Sequence, residues 1–221
     1  MEAARKRREF LHTLASTAGL ALVGCATAEA KANQEAEVTP GEDLMQEHGV
    51  LERILLIYDE AARRIEQGAP LDLAVLSNAA ALVRRFVEGY HERNEEQFVF
   101  PRLQKANREV DLVAVLLRQH ARGREVTDAI ARGAAAGASP ELARSLRSFA
   151  RMYRPHAARE DTVLFPAFRG VIGRAGYREL GEQFEAREHE LFGEYGFEQV
   201  VGQVADLERA LGIHDLESMT P

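Results

Sequence analysis

Apolar residues recur at spacings of three and four through most of the chain from Glu42 onward, which is the period of α-helices that bury one face. The first stripe consists of Leu44, His48, Leu51, Leu55, Tyr58, Ala62 and Ile65. Gly68 and Pro70 follow this stripe and are expected to end the helix. Because no segment shows a convincing alternation of apolar and polar residues, the pattern predicts an all-α protein.

The same spacing predicts five further helices. Their predicted ranges are 71–100, 108–132, 140–166, 180–195 and 199–211. Pro101 and Pro166 are expected to stop the second and the fourth helix. Ser139 and Pro140 are expected to start the fourth helix, as its N-cap and its first helical residue.

These lengths and connections also predict the domain organisation. Four long helices with short connections favour an antiparallel four-helix bundle over residues 42–170. The remaining predicted helices form a C-terminal helical extension over residues 171–221. The single cysteine, Cys25, excludes an intrachain disulfide and a cysteine-based zinc site. The formal net charge of −7 argues against binding of nucleic acid through its phosphates.

Histidine and glutamate residues form a motif that occurs twice. His91 precedes Glu95 by four residues, and His156 precedes Glu160 by four residues. Residues four apart lie on one face of a helix, so the two side chains of each pair can point at one object. The surrounding apolar residues and the following proline also match, with an offset of 65 residues throughout.

Each copy of the motif follows a helix with one inward-facing histidine, His48 in the first case and His120 in the second. The chain is therefore predicted to form two helical hairpins, and each hairpin supplies two imidazoles and one carboxylate. Such a set in a protein core is costly unless its members are paired or bind metal. Nitrogen and oxygen ligands without thiolates suit iron, manganese or zinc, and two carboxylates that can bridge favour two adjacent ions.

The order of these residues resembles that of the hemerythrin-like family, also called the HHE cation-binding family, over about residues 42–170. The resemblance implies a four-helix bundle that holds a non-haem di-iron centre. It also implies four terminal histidine ligands and two bridging carboxylates. By the family's order, these ligands would be His48, His91, His120 and His156, with Glu95 and Glu160 as the bridges.

Two positions differ from the pattern of oxygen-carrying hemerythrins. Those proteins have a second histidine four residues after the third-helix histidine, where this chain has Arg124. Their last carboxylate lies five residues after the fourth-helix histidine, where this chain has Asp161, so Glu160 and Asp161 are alternative bridging residues. The missing histidine implies a more open coordination sphere, which disfavours reversible oxygen carriage and favours reactive or sensing roles.

Several other residues are weaker candidates. Glu92 is a further carboxylate or a partner of a ligand, although a solvent-exposed helix charge is the favoured interpretation. Glu185 and His189 form another pair four residues apart, but they lie off the apolar stripe of their helix. Glu47 and Gln119 directly precede the two lone histidines, and the sequence does not decide whether they orient a neighbouring group.

The first residues of the chain resemble two export signals. Arg7-Arg8 precedes an apolar run of 11 residues, which is too short to span a bilayer and typical of a signal peptide. The arginine pair resembles a twin-arginine signal, and Leu22 to Cys25 resembles a lipobox. The sequence therefore predicts a signal peptide over residues 1–24 and a flexible tether over residues 25–41.

This resemblance implies a bacterial lipoprotein that is attached to the membrane by lipid on Cys25. The protein would face the periplasm or the cell exterior, and the outer membrane is the default location in a Gram-negative host. Proteins that use the twin-arginine route are exported after folding, often with a cofactor already bound. The predicted export route and the predicted metal site are therefore consistent with each other.

The resulting functional hypothesis is a protein with two iron ions that binds O2 or a related small diatomic molecule. Manganese and zinc fit the same ligands. An enzyme that reduces peroxide or nitric oxide at the same centre is the alternative, as is a metal storage or sensing protein. Since all of these proteins would use the same ligands, the sequence does not decide whether the protein is an enzyme. The oligomeric state does not follow from the sequence either.

Overall fold

The computed structural model describes residues 39–217 and Thr220. Within these residues the chain is helical and has no strand, which confirms the all-α prediction. The predicted signal peptide, including Arg7, Arg8 and Cys25, lies outside the described residues.

Six helices, α1 to α6, account for most of the described residues. They are α1 (Pro40–Gln67), α2 (residues 73–105), α3 (Val110–Ala136), α4 (Pro140–Arg159), α5 (Phe165–Phe192) and α6 (Gly196–Leu211). Contacts between α1 and α4, α4 and α3, α3 and α2, and α2 and α1 close a four-helix bundle.

Within residues 39–217, three stretches of π-helix interrupt the regular α-helical geometry. Within α2 they are Val83–His91 and Glu95–Val99, and a third, Glu160–Leu164, joins α4 to α5 without a break. We call Glu95–Val99 and Glu160–Leu164 the two matching π segments, because they lie at equivalent positions of the 65-residue repeat. Short π-helical stretches inside α-helices are rare and occur frequently at functional sites.

The starts of α1 and α4 follow local sequence signals. Thr39 caps α1 by accepting a hydrogen bond from the Glu42 amide, and Glu42 bonds back to the Thr39 amide, which forms a capping box. Ser139 caps α4 by accepting a hydrogen bond from the Leu142 amide at 3.2 Å, and Pro140 is the first helical residue, as predicted. Gly68 ends α1 in the left-handed region, with φ of 63°.

The prediction that Pro101 and Pro166 stop their helices is wrong. Each proline lies in the first turn of the α-helical segment that follows one of the matching π segments. The widened turn shifts the hydrogen-bond register, so that the Phe100 amide donates to the Glu95 carbonyl and the Phe165 amide to the Glu160 carbonyl. A proline is tolerated in that first turn because its missing N–H is not required there.

Two other predicted boundaries differ from the structure. The third helix continues to Ala136, and Gly137, with φ of 120°, follows it. The predicted helix at 180–195 is the second part of α5, which has a break in helical geometry at Gly173, with φ of 70°. Glycine adopts such positive φ angles without the steric cost that a side chain would bring.

Two apolar clusters fill the interior and leave a polar level between them. The larger cluster includes Tyr58, Phe86 and Phe149, and the smaller one includes Phe100 and Phe165. Helices α1, α2 and α3 each cross from one cluster to the other, for example from Leu44 to Leu51 along α1, and the π segment after α4 reaches the smaller cluster at Leu164. The predicted ligands lie at the crossing, so packed apolar layers enclose them on two sides.

Helices α5 and α6 pack on the bundle. The Tyr90 hydroxyl donates to the Phe184 carbonyl at 3.2 Å, and Arg53 of α1 makes two hydrogen bonds to Glu208 of α6, at 2.8 and 2.6 Å. Among the described residues, no helix combines the length and the apolar character needed to cross a membrane.

Candidate metal centre

The six residues predicted as ligands lie together at the polar level of the bundle. Each is at most 5% exposed: His48, His91, Glu95, His120, His156 and Glu160. They come from all four helices of the bundle and from the π segment that follows α4. The two glutamates are the first residues of the matching π segments, so the local widening of the helix begins at the carboxylates.

In the first hairpin, formed by α1 and α2, one ring nitrogen of each histidine is held by a carboxylate. His91 Nδ1 donates to Glu47 Oε2 at 2.7 Å. His48 Nδ1 donates to Asp161 Oδ1 at 2.7 Å, which ties the first hairpin to the second. A neutral imidazole whose Nδ1–H is bonded in this way presents the lone pair of Nε2 to the opposite side.

The second hairpin, formed by α3 and α4, repeats this arrangement. His156 Nδ1 donates to Gln119 Oε1 at 2.9 Å, and His120 Nδ1 donates to Glu96 Oε1 at 3.1 Å. The residue that precedes a lone histidine thus orients the other histidine of its own hairpin. The residue that follows each predicted bridging glutamate orients the lone histidine of the other hairpin.

All four Nε2 atoms face the two buried carboxylates. Glu95 Oε2 lies 3.7 Å from His91 Nε2 and 3.4 Å from His120 Nε2. Glu160 Oε2 lies 3.0 Å from His156 Nε2 and 3.3 Å from His48 Nε2. Each carboxylate therefore lies between one histidine of its own hairpin and one of the other.

The carboxylates lack other partners. Among the described residues, no hydrogen-bond donor is aligned with either oxygen of Glu95 or of Glu160, although all four atoms are buried. The His48 Nε2 atom is also buried and has no hydrogen-bond partner among the described residues. Buried anionic oxygens without donors are costly, and a divalent cation among them removes that cost. The donor set therefore fits a metal ion.

In the metal-free centre, the surroundings shift the pKa values of the two carboxylates in opposite directions. Burial and the neighbouring charge of Glu160 hold the pKa of Glu95 well above its usual range. Burial also opposes ionisation of Glu160, but the charges of His156 and His48 outweigh it and hold its pKa well below the usual range. Burial likewise opposes protonation of His48, yet hydrogen bonds to Asp161 and Glu160 raise its pKa to about 9.

Two groups of potential ligand atoms among the described residues share Glu160. One contains His48, His91, Glu95 and Glu160, and the other contains His120, His156 and Glu160, with all ligand atoms of a group within 4.8 Å of one another. Each group thus holds the two histidines of one hairpin. The group of the second hairpin has one residue fewer.

A third group of potential ligands contains Glu92, Glu96 and His120. Here a protein cation is already present, because Arg124 Nη2 donates to Glu92 Oε2 at 2.7 Å and to Glu96 Oε1 at 2.6 Å. The guanidinium bonds both carboxylates, so neither of them lacks a cationic partner and this group does not need a metal ion.

Aromatic rings cover the centre at equivalent positions of the repeat. The Phe100 ring stacks on His120, with centroids 5.5 Å apart, and the Phe165 ring stacks on His48 at 5.6 Å. Both phenylalanines are at most 2% exposed. These rings exclude water and limit the space beside the histidines.

The weaker candidates occupy different positions. Asp161 bonds the outer nitrogen of His48, whereas Glu160 lies among the inner nitrogens of His48 and His156. Glu92 is 1% exposed, so its interpretation as a solvent-exposed charge was wrong. Glu185 and His189 are partly exposed and belong to none of the potential metal-binding groups among the described residues.

Sequence reasoning left the outer partners undecided. Glu47 and Gln119 were noted without a role, and Glu96 was missed. The signal for Glu96 was present in the repeat, because it follows Glu95 as Asp161 follows Glu160. Its role depends on the packing of α2 against α3, and this packing cannot be inferred from the spacing of residues within one helix.

Comparisons with known proteins agree with this geometry. A sequence model described as the hemerythrin HHE cation-binding domain matches residues 39–168. Uncharacterized proteins of Mycobacterium tuberculosis and Mycobacterium bovis are 44% identical over an alignment of 235 positions, which covers 99% of this chain and 92% of theirs. No solved structure gives a significant match. The matched domain spans more than half of the chain and contains all six clustered histidine and glutamate residues, and the chain therefore belongs to the hemerythrin HHE cation-binding family.

Proposed function

We propose that this protein holds two non-haem iron ions between its hairpins and binds O2 or a related small diatomic molecule there. The two histidines of each hairpin would hold one ion, and the two carboxylates would bridge. The proposed ligands are His48, His91, Glu95, His120, His156 and Glu160. The observation that carries the proposal is that Glu160 belongs to two adjacent groups of ligand atoms, each with two histidines. Manganese or zinc would fit the same donors.

Iron would supply reversible one-electron chemistry and an open coordination position. The protein supplies orientation, because four outer hydrogen bonds fix the planes of the imidazoles. It also supplies a dry and narrow site, because Phe100 and Phe165 stack on two of the histidines. These features favour a small ligand. The second hairpin's smaller group of ligand atoms favours its side as the open one.

Metal stoichiometry tests the proposed centre. The full chain, purified without a histidine tag and loaded with iron under anaerobic conditions, should contain two iron ions per chain. Glu160→Gln should lower the iron content, because it removes the shared carboxylate charge. Asp161→Asn is the matched control and should retain both ions, because its amide oxygen can still accept from His48. One ion or none in the wild type, or iron loss only in the Asp161 variant, would contradict the proposal.

A peroxide- or nitric-oxide-reducing enzyme is the second candidate. A buried polar network adjoins the second hairpin's histidines: Tyr153 donates to Glu92 at 2.6 Å, and its ring lies 5.3 Å from the His156 ring. Such a network favours reactions that consume protons. Stopped-flow mixing of the reduced, iron-loaded protein with O2, nitric oxide or hydrogen peroxide separates the candidates. A binding protein regains its reduced spectrum when the gas is removed, whereas an enzyme consumes its substrate repeatedly.

We also propose that the protein is exported and anchored by lipid on Cys25. The support is the sequence of the first 25 residues alone. Cys25→Ser should leave an unprocessed precursor, and a double Arg7→Lys and Arg8→Lys variant should remain in the cytoplasm. Cell fractionation with mass analysis of each form tests both expectations. Wild-type protein that stays in the cytoplasm with residues 1–24 intact would refute the export proposal and leave the metal proposal unaffected.

A further inference from the structure

Polar residues connect the metal centre to the surface along the contact between α2 and α3. On α2 they recur every four residues, and on α3 the facing residues recur every four residues. We call this set the buried ladder, and its members are Arg84, Glu88, Glu92, Glu96, His120, Arg124 and Asp128.

The inner end of the buried ladder contacts the proposed ligands. Glu96 bonds His120 at 3.1 Å, and Arg124 links Glu96 to Glu92. The other oxygen of Glu92 accepts from the Tyr153 hydroxyl, whose ring lies beside His156. Polar contacts therefore extend away from both histidines of the second hairpin.

The outer end of the buried ladder reaches solvent. Arg84 Nη1 donates to Glu88 Oε2 at 2.6 Å, and the same guanidinium pairs with Asp128. Arg84 and Asp128 are 43% and 56% exposed, whereas Glu88 is 3% exposed. A single arginine side chain thus separates a buried carboxylate from the surface.

Glu88 has an oxygen without a partner. Among the described residues, no donor bonds Glu88 Oε1, and none pairs with the fully buried Tyr58 hydroxyl. The helix α1 packs on the Val83–His91 segment that carries Glu88, and the Tyr58 ring lies 5.4 Å from that of Phe149, which lies 4.4 Å from that of Tyr153. Tyr153 in turn bonds Glu92, one helical turn from Glu88, so both unpartnered atoms lie in one region of the core. Burial raises the pKa of Tyr58, and the negative charge of Glu88 raises it further. Buried polar atoms of this kind are commonly bridged by water.

Groups from all four bundle helices interact electrostatically with Glu88. They are Tyr58 of α1, Arg84 and Glu92 of its own helix, Arg124 and Thr127 of α3, and Tyr153 of α4, and Asp128 of α3 pairs with Arg84. Burial raises the pKa of Glu88 despite the hydroxyl of Thr127 and the positive charge of Arg84. A carboxyl in this position exchanges its proton closer to neutral pH than an exposed one does.

We propose that Glu88 and a water molecule held between it and Tyr58 carry protons between solvent at the Arg84–Asp128 pair and the second hairpin's side of the metal centre. In uptake, a hydronium ion of the solvent at the Arg84–Asp128 pair loses a proton, which forms an O–H bond on Glu88 Oε1. In release, that O–H bond breaks and the carboxylate is restored, while the held water molecule takes up the proton and gives up one of its own towards the second hairpin. No electron is transferred. The destination of the proton rests on the proposed metal function, whereas the water and the exchanging carboxyl do not.

The first test needs no metal. A high-resolution crystal structure of the full chain should show ordered water within hydrogen-bond distance of Glu88 Oε1 and Tyr58 Oη. Infrared spectra of the metal-free protein should show a carboxylic-acid band that shifts in D2O, titrates with pH and disappears in Glu88→Gln. A dry site, or a band unchanged by this substitution, would overturn the proposal. Absence of iron from the protein would overturn the proposed function instead.

The second test uses the iron-loaded protein and measures oxidation of the reduced centre by O2 in H2O and D2O. Glu88→Gln should slow the proton-dependent step on the order of 100-fold, the lower range for general acid–base catalysis. Tyr58→Phe should slow it less, because it removes only one partner of the water. Glu208→Gln is the control, since Glu208 is also a buried carboxylate paired with an arginine, but on α6. Equal rates in all three variants would contradict the proposal.

Discussion

Two ladders of ion pairs join neighbouring helices of the bundle, and their environments differ. The buried ladder joins α2 to α3 beside the metal centre. A second set, which we call the exposed ladder, joins α1 to α4. Its members are each 29–50% exposed: Glu52, Asp59, Glu66, Arg147 and Arg154.

The exposed ladder is a chain of alternating charges. Arg154 bonds Glu52 at 3.0 Å and Asp59 at 2.5 Å, and Arg147 bonds Asp59 at 3.0 Å and Glu66 at 2.9 Å. Water competes for each partner, so such pairs stabilise a protein by about 0–1 kcal/mol each. Its removal should leave the rest of the fold intact.

The buried ladder is costly to assemble, because its three glutamates are 1–14% exposed. Desolvation of charges at such positions often exceeds the energy of their attraction. The repeat does not require them either, since residues 65 positions after Glu88 and Glu92 are Tyr153 and Ala157. The two hairpins therefore agree in their clustered histidines and glutamates and in the outer partners of the histidines, and they differ at the positions of Glu88 and Glu92.

The largest effect is expected from breaking the buried ladder at its cation. Arg124→Ala should lower the free energy of unfolding by about 3–5 kcal/mol, because Glu92 and Glu96 would lose their shared positive partner in a buried site. Arg154→Ala is the matched change in the exposed ladder and should cost about 0.2–1 kcal/mol. Urea unfolding of the metal-free proteins measures both values. Similar losses in the two variants would mean that the burial difference has no energetic consequence.

The next effect concerns metal binding. Glu96→Ala should weaken iron binding by about 10- to 100-fold, because Glu96 orients His120 through its outer nitrogen and alanine cannot accept that hydrogen bond. Glu52→Ala, in the exposed ladder, should leave the affinity unchanged. Competition with a chelator of known affinity measures the difference. If both variants bind iron like the wild type, Glu96 does not support the ligand.

These residues also mark how far the sequence predicts the structure. The six clustered histidines and glutamates were predicted because their spacing repeats and places them on inward faces. Glu92 was misjudged because charges four residues apart on one helix resemble a solvated face, and only the packing of α3 and Tyr153 against α2 buries it. The helix ends at Pro101 and Pro166 were wrong because the π segments before them depend on packing around the centre.

The two ladders should also respond to pH with opposite signs. Burial raises the folded-state pKa of Glu88 above its usual value of 4.5, so its contribution to stability is greatest below that pH and is lost as pH rises through the folded pKa. Arg147 lowers the folded-state pKa of Glu66, so that contribution is present above pH 4.5 and is lost as pH falls.

Substitution by glutamine removes each titration and tests the signs. Relative to wild type, metal-free Glu88→Gln should gain stability as pH rises from acid towards neutral, whereas Glu66→Gln should lose stability over the same interval. Urea unfolding across that pH range gives both curves. Slopes of the same sign would show that burial does not dominate the titration of Glu88.

The smallest expected effect is a difference between the two ladders in how salt changes their contribution to the free energy of unfolding. Mobile ions screen charges in water within about 3 Å at 1 M salt, but they do not enter a packed interior. The cost of Arg154→Ala, about 0.2–1 kcal/mol at low salt, should therefore fall towards zero in 1 M sodium chloride. The cost of Arg124→Ala should persist, because Glu92 is 1% exposed and beyond the reach of mobile ions. Urea unfolding of both variants and wild type at two salt concentrations decides this. If 1 M salt abolished the stability loss in both variants, water and ions would reach the buried ladder. The proton path proposed through Glu88 would then be an open water channel. It would not be a relay through one carboxyl and one bound water molecule.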